Sequence, residues 1–184
     1  MFLPIYTYGH PVLRKKSTDI SPDYPDLDNL LKDMWQTMET ADGVGLAAPQ
    51  IGKNIRIFVI AADVFSETDP RCKGFRKTFV NAHILERGGD IVGREEGCLS
   101  IPGIHENVKR PSRILMQYCD ETGKEFREEF DGILAWIIQH EYDHLEGILF
   151  TDHVTPLRKR LLKNKLNAIA KGKSRPNYRT VSAK

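Results

Sequence analysis

The segment "DGILAWIIQHEYDHLEG", residues 131–147, constrains this chain more than any other stretch. Its first half is almost wholly apolar. Ile133, Leu134, Ile137 and Ile138 fall on adjacent helical positions, so a helix here must be largely buried. Asp131 stands where an N-cap belongs, and Gly147 stands where a left-handed residue would end the helix. Yet this buried helix also carries two histidines and a glutamate. Residues four apart lie on one helical face, about one turn from each other. His140 and His144 can therefore aim two imidazoles at one ion. Glu141 lies about 100° around the axis from His140. It would reach a water on that ion more readily than the ion itself, as a general base must. The alternative is a structural helix whose histidines bond to core carbonyls, but burying two His and a Glu without a task is expensive.

The pattern H-E-x-x-H on a helix is a signature of metal hydrolases. A catalytic ion needs a third protein ligand and one open position. Downstream, Glu146, Asp152 and His153 are available, none at the spacing of the metzincin endopeptidases. Upstream stands "EEGCLS", residues 95–100. Gly97 lets backbone approach Cys98 closely, and a thiolate is a strong ligand for soft or borderline metals. A lone cysteine is otherwise a small buried hydrophobe, which is the reading for Cys72 and Cys119. Three cysteines without framework spacing argue against a disulfide scaffold.

The rest of the chain reads as one domain. Leu27, Leu30, Leu31, Met34, Trp35 and Met38 mark an amphipathic helix around residues 26–40. "IRIFVIAADV" (55–64) and "TFVNAHILE" (78–86) read as strands. "SRILMQYCD–ETGK–EFREEF" reads as a hairpin turning at Gly123. Thr155 and Pro156 open a last helix, whose stripe is Leu157, Leu161, Leu162, Leu166 and Ile169 and which needs an apolar surface. Residues 172–184 have the composition of a disordered basic tail. Strands and segregated helices without regular βαβ alternation indicate an α+β fold.

Three segments then fall together. "GVGLAAPQ" (43–50), "EGCLS" (96–100) and "QHEYDHLEG" (139–147) resemble, in order and separation, the signature motifs of the peptide deformylases. The likeness runs to about residue 165 and includes the opening "YGHPVLR". It implies mixed, mostly antiparallel sheets around a central metal-binding helix, with a C-terminal helix, in a catalytic domain spanning 1–171. It implies one divalent ion on Cys98, His140 and His144, usually Fe2+, with Zn2+, Ni2+ or Co2+ able to substitute. Glu141 falls on the catalytic glutamate, Gln50 on the oxyanion-binding glutamine and Leu99 on the backbone oxyanion donor. Val44, Ile133, Trp136 and Ile137 fall on the lining of a methionine slot. Gly43 and Gly45 would leave backbone open for a peptide to pair as an added strand, with Gly97 beside the bound chain. The implied reaction removes the N-formyl group from the initiator methionine of nascent polypeptides and releases formate. Two positions depart from the pattern: Arg94 replaces a common apolar residue, and His105 stands where a peptide-contacting arginine is common.

Charge adds a partner. The net charge is +2, but ten of the 27 Lys and Arg lie from Arg158 onward, with no Asp or Glu among them. An acidic body with a basic end suggests a polyanionic partner, and the resemblance makes it ribosomal RNA docked on the C-terminal helix rather than DNA. An N-terminus that starts apolar and turns basic is the reverse of a secretory signal, and no apolar run suits a membrane. The expected location is the cytoplasm. The rival readings are a zinc endopeptidase and a non-catalytic metal- or ribosome-binding protein on the same fold.

Overall fold

The computed structural model describes residues 2–183. Seven strands and three α-helices follow one another as β1 (Ile5–Tyr6), α1 (Leu27–Thr40), β2 (Gly45–Ala47), β3 (Ile57–Ala61), β4 (Arg76–Glu96), β5 (Glu106–Cys119), β6 (Glu125–Asp131), α2 (Gly132–Leu145), α3 (Pro156–Ala170) and β7 (Thr180–Val181). Strands β2 to β6 form one antiparallel sheet in chain order, and β1 pairs in parallel with β7. The expected α+β architecture, with mostly antiparallel sheets about a central helix, is what forms.

Strand β3 shows why the sheet sits centrally. Its alternate side chains serve two cores, so the whole run is apolar rather than alternating. Phe58 and Ile60 pack with Ile133, Leu134, Ile137 and Ile138 of α2. Ile57 and Val59 pack with Leu31, Met34 and Met38 of α1. A third cluster joins Val12, Leu13, Ile101, Ile104 and Phe150 to Leu162, Leu166 and Ile169 of α3.

Strand β4 runs well past the expected "TFVNAHILE". Its second half, "RGGDIVGREE", is polar and glycine-bearing, yet it stays paired with β5 from Glu86 to Glu96. Register shifts after Val80, Ile84 and Gly88 bend it. At the first, Asn81 takes a left-handed φ of 51° and exchanges two hydrogen bonds with the Ile20 backbone. The β4–β5 ladder closes at Glu96 opposite Glu106. The segment between them carries Cys98 and Leu99, so the two strands hold the second motif as the tip of a long hairpin.

Helix α2 starts at the end of β6, as expected, but Asp131 makes no side-chain cap. It is extended and forms an ion pair with Arg71 instead. Gly147 does end the helix, at φ 72°, with Ile148 N–H donating to Asp143 O at 2.9 Å. Thr155 caps α3 by accepting from Arg158 N–H at 3.4 Å. The apolar stripe of α3 is only partly used: Leu162, Leu166 and Ile169 are buried, whereas Leu157 and Leu161 are 68% and 62% exposed. At 100° per residue Leu157 lies about 180° around the axis from Leu166, on the far face, and Leu161 about 140° from it.

The tail also differs from its composition. Residues 172–183 return along the body, where Ile5 and Thr7 N–H donate to Arg179 and Val181 O, both at 2.9 Å. Backbone pairing supplies what the side chains do not advertise. No helix among the described residues is long and apolar enough to cross a membrane.

Candidate metal centre and cavity

The site forms where α2, the β4–β5 tip and the segment around β2 meet. Among the described residues, the donor atoms of Cys98, His140 and His144 lie within 4.8 Å of one another. Cys98 Sγ is 3.3 Å from His144 Nε2, and the two imidazole centroids are 5.3 Å apart. Burial pushes the Cys98 thiol up, but the adjacent His144 and His140 outweigh it and bring the thiol down to about 5. A thiolate beside two imidazoles is a donor set that fits a borderline divalent ion. The downstream alternatives lie elsewhere: Glu146 pairs with Arg56, Asp152 with Arg14 and His153 with Asp143.

Glu141 is buried beside this triad, and its Oε2 has no hydrogen-bond partner. Burial raises its carboxyl to about 7, against the opposing pull of His140 and His144. Gly45 makes room for it, because a Cβ there would overlap Glu141 Oε1. Gly97 has a comparable reason: its Cβ would stand 2.7 Å from His105 Cδ2.

Gln50 has its amide orientation fixed by chemistry. Ala47 N–H donates to its Oε1 at 2.8 Å, so the NH2 group must face the cavity. That group reaches Ser100 Oγ at 3.1 Å and Cys98 Sγ at 3.5 Å. The second contact is an ordinary distance for a hydrogen bond to sulfur.

A charged chain behind the triad escaped the motif reading. His140 Nδ1 donates to Glu96 Oε2 at 2.7 Å. Glu96 also accepts from Arg110 at 2.6 and 3.0 Å. Arg110 reaches Asp143 at 2.7 Å, and His153 does so from the other side at 2.7 Å. Burial opposes ionisation of Glu96, yet His140 and Arg110 hold it down at about 2. Such partners fix the ring orientation of a metal-binding histidine. The available signal was Glu96, two residues before Cys98; Arg110 and Asp143 meet it only through folding.

A cavity of about 680 Å³ opens onto Glu141 and Cys98. Val44, Gly45, Gln50, Gly97, Leu99, Trp136, Ile137 and His140 line it as well. His105 also lines it, beside tail residues Ser174, Arg175, Pro176 and Tyr178. Two residues singled out in the sequence lie off this lining. Ile133 does not line the cavity; it is 3% exposed and packs in the core with Phe58, one turn short of the open end. Arg94 lies instead on a small depression with Val92 and Trp136, so it does not set the polarity of the main rim.

Comparison with known proteins places this arrangement. A family model for polypeptide deformylase matches residues 2–160. The chain belongs to the polypeptide deformylase family. Curated peptide deformylases from Cytophaga hutchinsonii and Flavobacterium psychrophilum are 50% and 48% identical to it, each match covering 97% of this chain and 96% of the relative. Among solved structures, a Legionella pneumophila peptide deformylase is 34% identical with a TM-score of 0.81, covering 95% of this chain and 99% of that one. The Arabidopsis thaliana peptide deformylase 1B, solved with an inhibitor, is likewise 34% identical at a TM-score of 0.81. The deformylase-family match thus takes in both the triad and the Glu141 pocket.

Proposed function

We propose that the protein hydrolyses the N-formyl group of formylmethionyl nascent peptides, releasing formate and a free amino terminus. The observation that carries this reading is Glu141: a buried carboxyl with a free oxygen, beside a Cys–His–His donor set, at a cavity that Val44, Trp136 and Ile137 help to line.

Cys98, His140 and His144 would hold the ion, and Glu96 keeps His140 oriented toward it. A divalent ion there would act as a Lewis acid and make water a nucleophile near neutral pH. Glu141 takes the water proton on Oε2 as the oxygen adds to the formyl carbon. The developing oxyanion accepts from Gln50 Nε2 and from the Leu99 backbone N–H, donors aimed before the charge appears. The C–N bond then breaks, and Glu141 passes its proton to the leaving nitrogen. Val44, Trp136 and Ile137 supply the slot for the methionine chain, and the open backbone at Gly45 takes the peptide beside it. Ferrous iron is the proposed ion, from the family likeness; the donor set also suits zinc, nickel and cobalt.

Formate release from formyl-Met peptides tests this, with unformylated and internally formylated peptides as controls. Cleavage of an unformylated peptide bond would favour the endopeptidase reading, and metal binding without any product would favour a binding protein.

The place of action we propose is the cytoplasm, docked at the ribosome through α3. Arg160, Lys163 and Lys165 are exposed on that helix. Arg158 is already engaged, donating to Glu106 at 2.5 and 2.9 Å, so reversing its charge would disturb the fold as well. Reversal at Arg160, Lys163 and Lys165 is the cleaner test. It should abolish salt-sensitive ribosome co-sedimentation and leave hydrolysis of short peptides intact.

A further inference from the structure

The C-terminal segment does more than cover the body. Beyond Glu96, the last residue of β4, the second motif lies on a turn rather than on a strand or helix, so its backbone must be held from outside. Three consecutive carbonyls show how. Cys98 O accepts from Ile101 N–H at 2.9 Å, within the turn. Ser100 O accepts from Tyr8 N–H at 2.8 Å, just beyond β1. Leu99 O, between them, accepts from the Tyr178 hydroxyl at 2.8 Å.

Tyr178 comes from 79 residues away, and its position is not left to chance. The next residue, Arg179, accepts through its carbonyl from Ile5 N–H at 2.9 Å, and Val181 O accepts from Thr7 N–H. The β1–β7 pair therefore carries both external clamps, Tyr8 on one side and Tyr178 on the other. The Tyr178 side chain is half-buried and packs against the same apolar cluster as Leu99. It also lines the cavity.

We infer that Tyr178 is a positioning residue for the hydrolytic site, fixing Leu99 so that its N–H points at the oxyanion. This rests on the reading of Leu99 as an oxyanion donor given above. A donor on a turn contributes fully only when it is held to within about 0.5 Å of the productive geometry. Tyr178 removes the remaining freedom of the Leu99 carbonyl, which the turn itself leaves without a backbone donor.

The test is Tyr178→Phe in the full-length, metal-loaded protein. The ring and its packing remain; only the hydrogen bond is lost. With a short formyl-Met peptide, kcat should fall about tenfold, short of the ~10²–10³ typical when an oxyanion donor is removed outright. KM should stay within about twofold, because the oxyanion exists only after attack. Metal content should match wild type, and amide hydrogen exchange should quicken in residues 97–101. An unchanged kcat, or a loss of kcat that tracks loss of metal or unfolding, would overturn the inference. So would a lower kcat with unaltered exchange. A wild type that releases no formate would instead defeat the functional reading, while the exchange experiment still reports whether Tyr178 holds Leu99.

Discussion

At the scale of single residues, the centre is built from side chains whose neighbours leave them few choices. Gly45 is a clear case. Its missing side chain is the space that Glu141 occupies, so Gly45→Ala should displace the carboxylate while β2 keeps its pairing with β3. We expect formate release to fall at least about tenfold with the unfolding midpoint shifted by a few degrees at most; full activity would show that Glu141 tolerates another position. Gln50→Leu should lower kcat more than it raises KM if its amide serves, as proposed, the charge that develops during reaction. An effect confined to KM, in steady-state kinetics, would make Gln50 a substrate anchor. The structure brings Cys98, His140, His144, Glu141 and Gln50 together; helical spacing singled out His140, Glu141 and His144, and the family resemblance singled out Gln50 and added weight to Cys98. Ile133, which the resemblance put on the methionine slot, packs in the core with Phe58; helical periodicity says that a residue is buried, not whether core or cavity covers it. Tyr178 was invisible, since nothing local marks a tyrosine in a basic tail as the partner of a carbonyl 79 residues earlier.

At the scale of elements, α2 and the β4–β5 hairpin are joined by charge as well as by packing. Arg110 is buried between Glu96 and Asp143. Removing it takes the guanidinium from two buried carboxylates and leaves each with only a histidine partner, His140 on Glu96 and His153 on Asp143. Arg110→Ala should therefore cost about 3–5 kcal/mol in urea unfolding and also reduce activity, as Glu96, the partner of His140, loses the guanidinium that holds it. A loss below about 1 kcal/mol would mean that water or another cation replaces the guanidinium. The helices were readable from apolar spacing and caps, although Asp131 proved a partner of Arg71 rather than a cap. The second half of β4 was not readable. Its pairing with β5 is a backbone matter, made by residues whose side chains are mostly exposed. On α3, the exposed Leu157 and Leu161 show the converse: they belong to a run of leucines but lie about 180° and 140° around the axis from Leu166, off the face that is buried.

At the scale of the whole molecule, an ion pair ties the N-terminal segment to the turn after α2, and a local one braces the loop before β4. Arg14 donates to Asp152 at 2.5 and 3.2 Å, and Arg71 donates to Asp69 at 2.9 and 2.7 Å. Both carboxyls lie below their ordinary value, Asp69 through its Arg71 hydrogen bonds, and Asp152 because Arg14 and the Leu149 N–H outweigh burial. The sign follows directly. These groups bind fewer protons folded than unfolded near pH 4, so their contribution is complete above the ordinary carboxylate range and is lost as pH falls through the lowered values. Thermal midpoints should drop on acidification below about pH 4, less steeply in Asp152→Asn; an equal slope would show that Asp152 carries none of it. The overall α+β layout was legible from element types alone. The β1–β7 pair that closes the molecule was not, because two-residue strands carry no periodic signal.

The account turns on Glu141 moving a proton beside an ion held by Cys98, His140 and His144. The most direct test is formate release from a formyl-Met peptide by wild type and Glu141→Gln, each loaded with ferrous iron under anaerobic conditions and each assayed for bound metal. The predicted result is equal metal in both and a loss of activity in Glu141→Gln on the order of 10²-fold or more. Near wild-type release by a fully loaded Glu141→Gln protein would contradict it, and the base would have to be another group.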